Sequence, residues 1–313
     1  MNSLEHSGGE SNALQRWADW LTESSRPGFG QAVTWLLLVF AVILAISPIE
    51  FSPGVRSSDA ATIFAWLPEF LLRNEIFFTA ARVALIVSAA LWALRIAVPV
   101  SCWTTTILFA LMWSLRMENL TNGAHIFNVT NMLMLIHAMW FQFYASDIKM
   151  AAAEGRFWKT PLYPRWVFML SVFYLGWFHS LAGFTKLLKT GWGWGNGVSL
   201  QLWTQVFGET ESPFAQVILY DDRLTAWLQT GALAIECLSI LCIFHWMIRY
   251  AVGLGLIGFY IGVLTTFVTF GFHFNAILVA IFLLPLDYLV GLKFQRRSNE
   301  SQLPLDESST SNL

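Results

Sequence analysis

Charged side chains are scarce in this sequence. Only 12% of its 313 residues are Asp, Glu, Lys or Arg, whereas 56% are hydrophobic. Soluble domains carry roughly 25% charged residues, so the composition excludes an ordinary soluble protein and predicts an integral membrane protein in contact with the lipid bilayer. The formal net charge of −2 provides no strongly basic surface, so no nucleic-acid partner is expected.

Cysteine and the common motifs of catalysis are also sparse or absent. The three cysteines, Cys102, Cys237 and Cys242, fall in apolar runs, and their spacing matches no metal motif. The sequence contains no HExxH pair, no GxSxG elbow, no Walker loop and no dinucleotide fingerprint. We therefore expect small buried thiols and no metal site, and these patterns alone assign no function.

Long apolar runs, in contrast, are abundant. A spanning helix needs about 20 mostly apolar residues, and enough segments qualify to predict an all-α, multi-pass bundle of about eight transmembrane helices. These segments are 32–48, 77–98, 101–117, 125–145, 165–188, 224–246, 249–270 and 274–292. Residues 60–73 are too short and too charged to cross, so they predict an amphipathic helix at the membrane interface.

The chain divides into three parts by composition. Residues 1–30 form a polar segment without the pattern of a signal peptide. Residues 31–293 form the membrane domain, and residues 294–313 predict a disordered polar tail.

Basic residues in the short loops predict the orientation of the bundle. The loop after the fourth span holds Lys149, Arg156, Lys159 and Arg165, and such residues accumulate on the cytoplasmic side. With both termini in the cytoplasm, the acidic segment 189–223 faces outside. The expected location is the inner membrane of a bacterium.

This topology places three ionisable residues on the extracytoplasmic side: His125, Lys186 and His273. His179 lies two turns before Lys186 on the same helix face. Ionisable groups at membrane depth often mark function, so these residues form a candidate site. Lys186 can alternatively be an anchor that reaches for the headgroups, although Lys189 is better placed for that role, and the histidines can be satisfied by local backbone.

The stretch 191-GWGWGNG-197 follows directly. Its glycines can adopt positive φ and allow another group to approach the backbone closely. Flat aromatic rings beside such a backbone, here Trp192 and Trp194 with Gly197, could hold a flat apolar ligand such as a quinone ring. The simpler alternative is that these tryptophans belong to the interfacial aromatic belt.

Two charges are expected within spans: Arg82 in the second and Glu236 in the sixth. A charge at that depth normally pairs with another charge or faces a polar cavity. Whether Arg82 and Glu236 pair with each other is left open by the sequence.

The string 182-AGFTKLLKTGWGWGNGVSLQLW-203 resembles the signature of the horizontally transferred transmembrane (HTTM) domain, the membrane part of vitamin K-dependent γ-glutamyl carboxylases. In that family an aromatic-rich helix ends in an AG-x-x-K-L element, followed by a tryptophan and a glycine. Those elements correspond here to Ala182-Gly183, Lys186-Leu187, Trp194 and Gly197. The stretch 122-NGAHIFNVTNMLML-135 resembles the family's histidine-bearing start of a membrane helix.

The resemblance implies a catalytic role for Lys186 as the base that deprotonates a reduced, vitamin K-like quinone, with His125 assisting. Trp192, Trp194, Gly197, His179 and His273 are the candidate residues for binding the quinone. A large extracytoplasmic domain follows the membrane part in eukaryotic carboxylases, but only a short polar tail follows the last span here. Carboxylation of a protein glutamate is therefore not expected.

Compact HTTM proteins also resemble a bacterial protein needed for maturation of a secreted toxin peptide. Three functional hypotheses follow for this chain. The first is quinol-linked chemistry, or maturation of a membrane-delivered peptide, at the extracytoplasmic site. The second is a non-catalytic maturation or scaffold factor. The third is a transporter, for which Arg82 and Glu236 are the only evident polar candidates and no paired broken helices are present.

Overall fold

The computed structural model describes residues 8–23, 29–47, 68, 70, 74–119, 127–154, 163–266 and 272–284. The elements of secondary structure in these ranges are all helices, joined by short turns, so the all-α prediction is confirmed for the described part of the chain. His125, the tail from residue 294 and the predicted interfacial helix at 60–73, apart from two single residues, lie outside the described residues.

The described α-helices are α1 (Gly8–Thr22), α2 (Phe29–Ile46), α3 (Glu75–Ala93), α4 (Val100–Asn119), α5 (Asn128–Phe143), α6 (Ala145–Ala153), α7 (Arg165–Thr190), α8 (Val198–Phe207), α9 (Pro213–Tyr220), α10 (Asp222–Leu238), α11 (Trp246–Thr266) and α12 (Phe272–Leu283). Two 3₁₀ segments, Gly191–Asn196 and Ser239–Ile243, continue α7 and α10 directly.

Five helical stretches are long and apolar enough to cross a membrane, which indicates an integral membrane protein. They are Phe29–Ile46, Glu75–Ala93, Arg165–Asn196, Asp222–Ile243 and Trp246–Thr266. The remaining three predicted spans each contain a helix as well, but their apolar stretches are shorter: Val100–Ser114 in α4, the 16-residue α5, and Phe274–Leu283 in α12.

Closely packed aromatic side chains fill the centre of the bundle. Trp92 of α3 and Trp140 of α5 both meet Phe141 edge to face, and Phe127 packs against Phe274 at a ring separation of 5.4 Å. Because lipid tails are as apolar as these side chains, tight packing rather than a hydrophobic driving force holds such helices together. Helices α10 and α11 border this core, where α10 packs on α7 and α11 packs on α12.

The segment predicted as an outside loop at 189–223 contains regular structure. After the 3₁₀ segment, α8 and α9 pack on one another and on α10. Helix α9 begins at Pro213, with the Ser212 side chain accepting a hydrogen bond from Ala215 N at 3.2 Å. These short helices place ordered side chains beside the end of α7.

The polar N-terminal segment also contains a helix, α1, which docks against the start of α7. The Arg165 guanidinium pairs with Glu23 at 2.8 Å and lies 4.5 Å from the centre of the Trp20 ring. This contact ties the segment to the same end of the bundle as the beginning of α7, opposite the end that carries Lys186.

Candidate functional site

Lys186, near the end of α7, forms an ion pair with Glu236 of α10. Its Nζ lies 2.7 Å from Oε1 and 2.5 Å from Oε2 of the carboxylate. The Glu236 side chain is buried, with 5% exposed, whereas 28% of the Lys186 side chain is exposed. Glu236 is therefore enclosed within the bundle, whereas Lys186 is partly accessible from outside it.

Small residues on α7 allow the two helices to approach closely enough for this pair. A Cβ added to Gly183 would lie 2.8 Å from Cys237 N, and one added to Gly176 would lie 2.7 Å from Ser239 O. Between them, Ser180 Oγ donates to the carbonyls of Glu236 and Cys237 at 3.1 and 3.0 Å. Small residues of this kind permit close backbone approach between membrane helices.

Ser180 also stabilises the place where α10 changes into a 3₁₀ segment. Its Oγ accepts a hydrogen bond from Ile240 N at 2.8 Å, just after α10 ends at Leu238. A backbone N–H that the helix leaves free is thereby satisfied within the bundle, which the bilayer demands of every backbone polar group. This arrangement fixes the backbone immediately after Glu236.

The Trp-Gly stretch forms a compact turn against this pair. Gly191 and Gly197 adopt positive φ of 60° and 89°, a conformation that costs glycine little. Between them the Trp194 ring centre lies 5.6 Å from Lys186 Nζ, within the range of a cation–π contact. Trp192, on the same turn, is 84% exposed.

Helix α10 holds this turn with two polar side chains. The Gln229 amide donates to the carbonyl of Trp194, and its oxygen accepts from Leu200 N at 3.1 Å. Thr230 Oγ donates to the carbonyl of Gly195 at 3.0 Å. The position of the Trp194 ring over Lys186 is therefore set by the helix that carries Glu236.

His179 is buried two turns below Lys186 and is fully hydrogen-bonded. Its Nδ1 lies 2.7 Å from the Leu175 carbonyl, which can only accept, so Nδ1 carries the proton and Nε2 is the acceptor. The hydroxyl of Tyr260 in α11 donates to Nε2 at 2.7 Å. His179 thus connects α7 to α11.

The sequence left open whether Arg82 and Glu236 pair with each other, and the contacts show that they do not. Glu236 pairs with Lys186, and Arg82 instead donates to the carbonyl of Ser47 at 3.1 Å. The two charges therefore belong to different parts of the bundle.

Among the predicted site residues, the structure brings Lys186 and Trp194 together, with His179 deeper in the same helix as Lys186. Gly197 lies at the end of the Trp-Gly turn against α10, and Trp192 is exposed on that turn. His273 is the second residue of α12, but its side chain is outside the described part of the structure.

Three residues of the site were not predicted from the sequence. They are Tyr260, Gln229 and, as the partner of Lys186, Glu236. Gln229 and Glu236 lie on the same face of α10, and this polar face in an apolar helix was the available signal.

Among the described residues, no group of three or more His, Cys, Asp or Glu side chains is arranged to hold a metal ion. Comparison of the chain with protein-family models, with curated proteins and with solved structures finds no match. The site geometry and the motif in residues 182–203 are therefore the basis of the proposal that follows.

Proposed function

We propose that the chain is a multi-pass HTTM-type protein of a bacterial inner membrane, with eight spans, both termini in the cytoplasm and residues 189–223 outside. Two observations support this proposal. A helix is present within each of the eight apolar segments, and Lys186 and Trp194 of the motif meet at one end of α7, 5.6 Å apart from Nζ to ring centre.

We further propose that Lys186 is the reactive group of a site for a reduced, lipid-soluble quinone of the vitamin K type. One observation carries this proposal: the Lys186 amine is held by a buried carboxylate, lies beside an aromatic ring and remains partly exposed. An anchoring lysine would extend toward the headgroups, whereas this amine points back into the bundle.

The surroundings of Lys186 fit a flat apolar ring. The Lys186 side chain is itself 28% exposed, so a molecule dissolved in the bilayer can reach the amine at this opening. The Trp194 ring supplies a flat surface beside Nζ, and Trp192 supplies a second, exposed ring. From the family resemblance, His125 is expected to assist Lys186 at this site.

Glu236 gives Lys186 a means of becoming a base. Only a neutral amine can accept a proton, and the carboxylate oxygens 2.5 and 2.7 Å from Nζ are within reach of a direct proton transfer. Transfer of one ammonium proton to Glu236 converts the ion pair into a neutral amine and a carboxylic acid. Because the carboxyl group is buried, this neutral pair avoids the cost of holding two charges away from water.

When bound, a reduced quinone supplies a weakly acidic hydroxyl whose loss of a proton makes the ring reactive toward oxygen. The neutral Lys186 amine accepts that proton and returns to the ammonium form, while the proton already transferred stays on Glu236. The net proton acceptor is thus the Glu236 carboxylate, and Lys186 ends as a positive charge that faces the site.

The test uses wild-type protein in nanodiscs, titrated without oxygen with menadiol, a soluble reduced naphthoquinone. We expect the absorption band of the deprotonated hydroxyl to appear with the protein at a pH where free menadiol stays neutral. Extraction of lipids from protein purified out of its native membrane should also yield a co-purifying quinone. The proposal is wrong if menadiol shows the same spectrum with the protein and with empty nanodiscs.

The second candidate function is a non-catalytic scaffold, and one observation favours it. The Lys186–Glu236 pair also fastens α7 to α10, which a purely structural ion pair would do. A scaffold predicts no change in the menadiol spectrum, so the same titration separates the two functions.

A further inference from the structure

A cavity lies between α8 and α9, at residues other than those of the Lys186 site. Its volume is about 460 Å³, within the range of small-ligand sites, and it is lined by Gln201, Gln205, Thr210, Gln216, Leu219 and Tyr220. Most of these side chains are polar and none is charged. This polar lining is unlike the lipid-facing surface of the spans and suits a ligand that forms hydrogen bonds.

The glutamine amides are partly fixed and retain hydrogen-bonding capacity. Gln201 Nε2 donates to Asp222 Oδ1 at 2.8 Å, and Gln216 Nε2 donates to the Thr210 carbonyl at 2.5 Å. A carboxamide has two N–H donors and an oxygen acceptor. Each of these two glutamines therefore still offers an oxygen and a second N–H, the groups that pair with a peptide backbone.

The chain around the cavity is acidic. Residues 209–223 carry four exposed carboxylates, Glu209, Glu211, Asp221 and Asp222, against one exposed cation, Arg223, which leaves a net charge of −3. Such a field repels anionic ligands and attracts cations. Tyr220, whose side chain is 79% exposed, adds a ring face suited to a lysine or arginine side chain.

We infer that the cavity between α8 and α9 binds an extended peptide segment that carries lysine or arginine. The amides pair with its backbone, and the surrounding carboxylates select its positive side chains. A lipid chain would leave the amides unpaired. A neutral sugar would hydrogen-bond to the amides and carboxylates, but it carries no positive charge to match the excess of carboxylates.

The cavity and the Lys186 site are connected through one short element. Gln201 lies one helical turn after Gly197, where the Trp-Gly turn ends and α8 begins. A peptide held in the cavity would therefore lie close to the turn whose Trp194 ring covers Lys186. The inference takes its extracytoplasmic placement from the proposed function, but binding itself requires no chemistry at Lys186.

The experiment uses the full chain in phosphatidylcholine nanodiscs, which carry no net lipid charge. A fluorescent peptide with a repeated Gly-Lys-Ser sequence is titrated by anisotropy, and its counterpart with Glu in place of Lys is the charge control. We expect saturable binding of the lysine peptide only. The double variant Gln205→Leu with Gln216→Leu should weaken it by about tenfold or more, since the loss of one net hydrogen bond already costs up to about tenfold. Added salt should weaken it further.

The matched control is Gln15→Leu on α1, which removes an exposed glutamine far along the chain from the cavity and should leave peptide binding at the wild-type level. Equal binding of the two peptides, no effect of the cavity variants, or full competition by a neutral oligosaccharide would each overturn the inference. Menadiol titration of the same wild-type sample keeps the two proposals separate. If the peptide does not bind, only the proposal for the cavity is wrong. If the menadiol spectrum does not change, only the proposal for Lys186 is wrong.

Discussion

Lys186 and Glu236 are 50 residues apart in the sequence, and their side chains meet with both carboxylate oxygens within 2.7 Å of the amine. The pair is unequal, because Glu236 is enclosed while Lys186 is partly exposed. If the pair is broken, the Lys186 ammonium can turn toward water at the membrane interface. The Glu236 carboxylate is enclosed and cannot reach water. This inequality determines how each partner should respond to substitution.

We predict that Lys186→Met destabilises the protein more than Glu236→Gln. Removal of one partner from a buried ion pair costs about 3 to 5 kcal/mol, because the remaining charge is left uncompensated. That cost applies to the buried carboxylate in Lys186→Met, whereas in Glu236→Gln the remaining ammonium can reach water. Thermal unfolding in one detergent, followed through the helical circular dichroism signal, measures both effects.

The double variant Lys186→Met with Glu236→Gln should recover part of the stability lost in Lys186→Met, since it leaves no buried charge. A double-mutant cycle gives the coupling between the two residues. Additive effects of the two substitutions would show that the pair makes no contribution to stability.

We predict that Gly183→Val separates α7 from α10. The added Cβ would meet Cys237 N at 2.8 Å, and backbone cannot move aside as a flexible side chain can. Forcing extra atoms into a packed interface costs about 1 to 3 kcal/mol. The expected result is a lower melting temperature together with a weaker effect of Glu236→Gln in the Gly183→Val background, because the ion pair is already stretched.

The control for this substitution is Gly231→Ala on α10, where no atom lies within 4 Å of an added Cβ. Alanine favours a helix more than glycine does, so this variant should be neutral or slightly stabilising. A loss of stability equal to that of Gly183→Val would contradict the role assigned to close packing at Gly183.

We predict that Tyr260→Phe lowers stability by about 1 to 3 kcal/mol, since it leaves the buried Nε2 of His179 without its donor. Tyr220→Phe removes the same hydroxyl from an exposed ring and should have no effect on unfolding. Melting curves of the two variants, recorded side by side, provide the measurement. Indistinguishable curves would mean that the His179–Tyr260 hydrogen bond does not hold α7 to α11.

The residues close to Lys186 in sequence could be predicted from the sequence, and the distant ones could not. Trp194 follows Lys186 by two turns, so both the motif and the break after Lys189 indicated that they lie at the same membrane edge. Glu236 was identified only as a charge within a span. Its partner depends on which helices pack together, and this is decided by the close approach at Gly183 rather than by any local pattern.

The helices α8 and α9 were missed because each is too short to show an extended hydrophobic period. Polar residues and glycines around them favoured a loop. The boundaries nevertheless carried signals: Ser212 followed by Pro213 is a typical helix start, and Asp221 accepts a hydrogen bond from Leu224 N at 3.0 Å as the cap of α10. The five helical stretches that are long enough to cross a membrane needed no such detail, because the bilayer fixes the length of a spanning helix.

We predict that Ser199→Cys reacts with a membrane-impermeant maleimide in intact cells and that Ser146→Cys does not. The proposed topology places Ser199, in α8, outside and Ser146, in α6, inside. Both substitutions are made in a background with the three native cysteines replaced by alanine, and Ser146→Cys should react once the cells are opened. Protection of Ser199→Cys in intact cells, with labelling after lysis, would overturn the topology and the extracytoplasmic placement of the site.

The last prediction separates the charge of Lys186 from its ability to release a proton. Arginine has the length and the positive charge to keep a pair with Glu236, and its planar head suits a carboxylate. It cannot be deprotonated in a protein. We therefore predict that Lys186→Arg leaves membrane insertion, abundance and melting temperature near the wild-type values but abolishes the deprotonation of bound menadiol.

Lys189→Arg is the matched control, because it makes the same change one turn from Lys186, at an exposed position at the end of α7. It should deprotonate menadiol as the wild type does. Since both variants conserve charge, surface electrostatics cannot account for a difference between them. Full menadiol deprotonation by Lys186→Arg would show that Lys186 serves the protein through its positive charge, as the structural partner of Glu236, and that it is not the base.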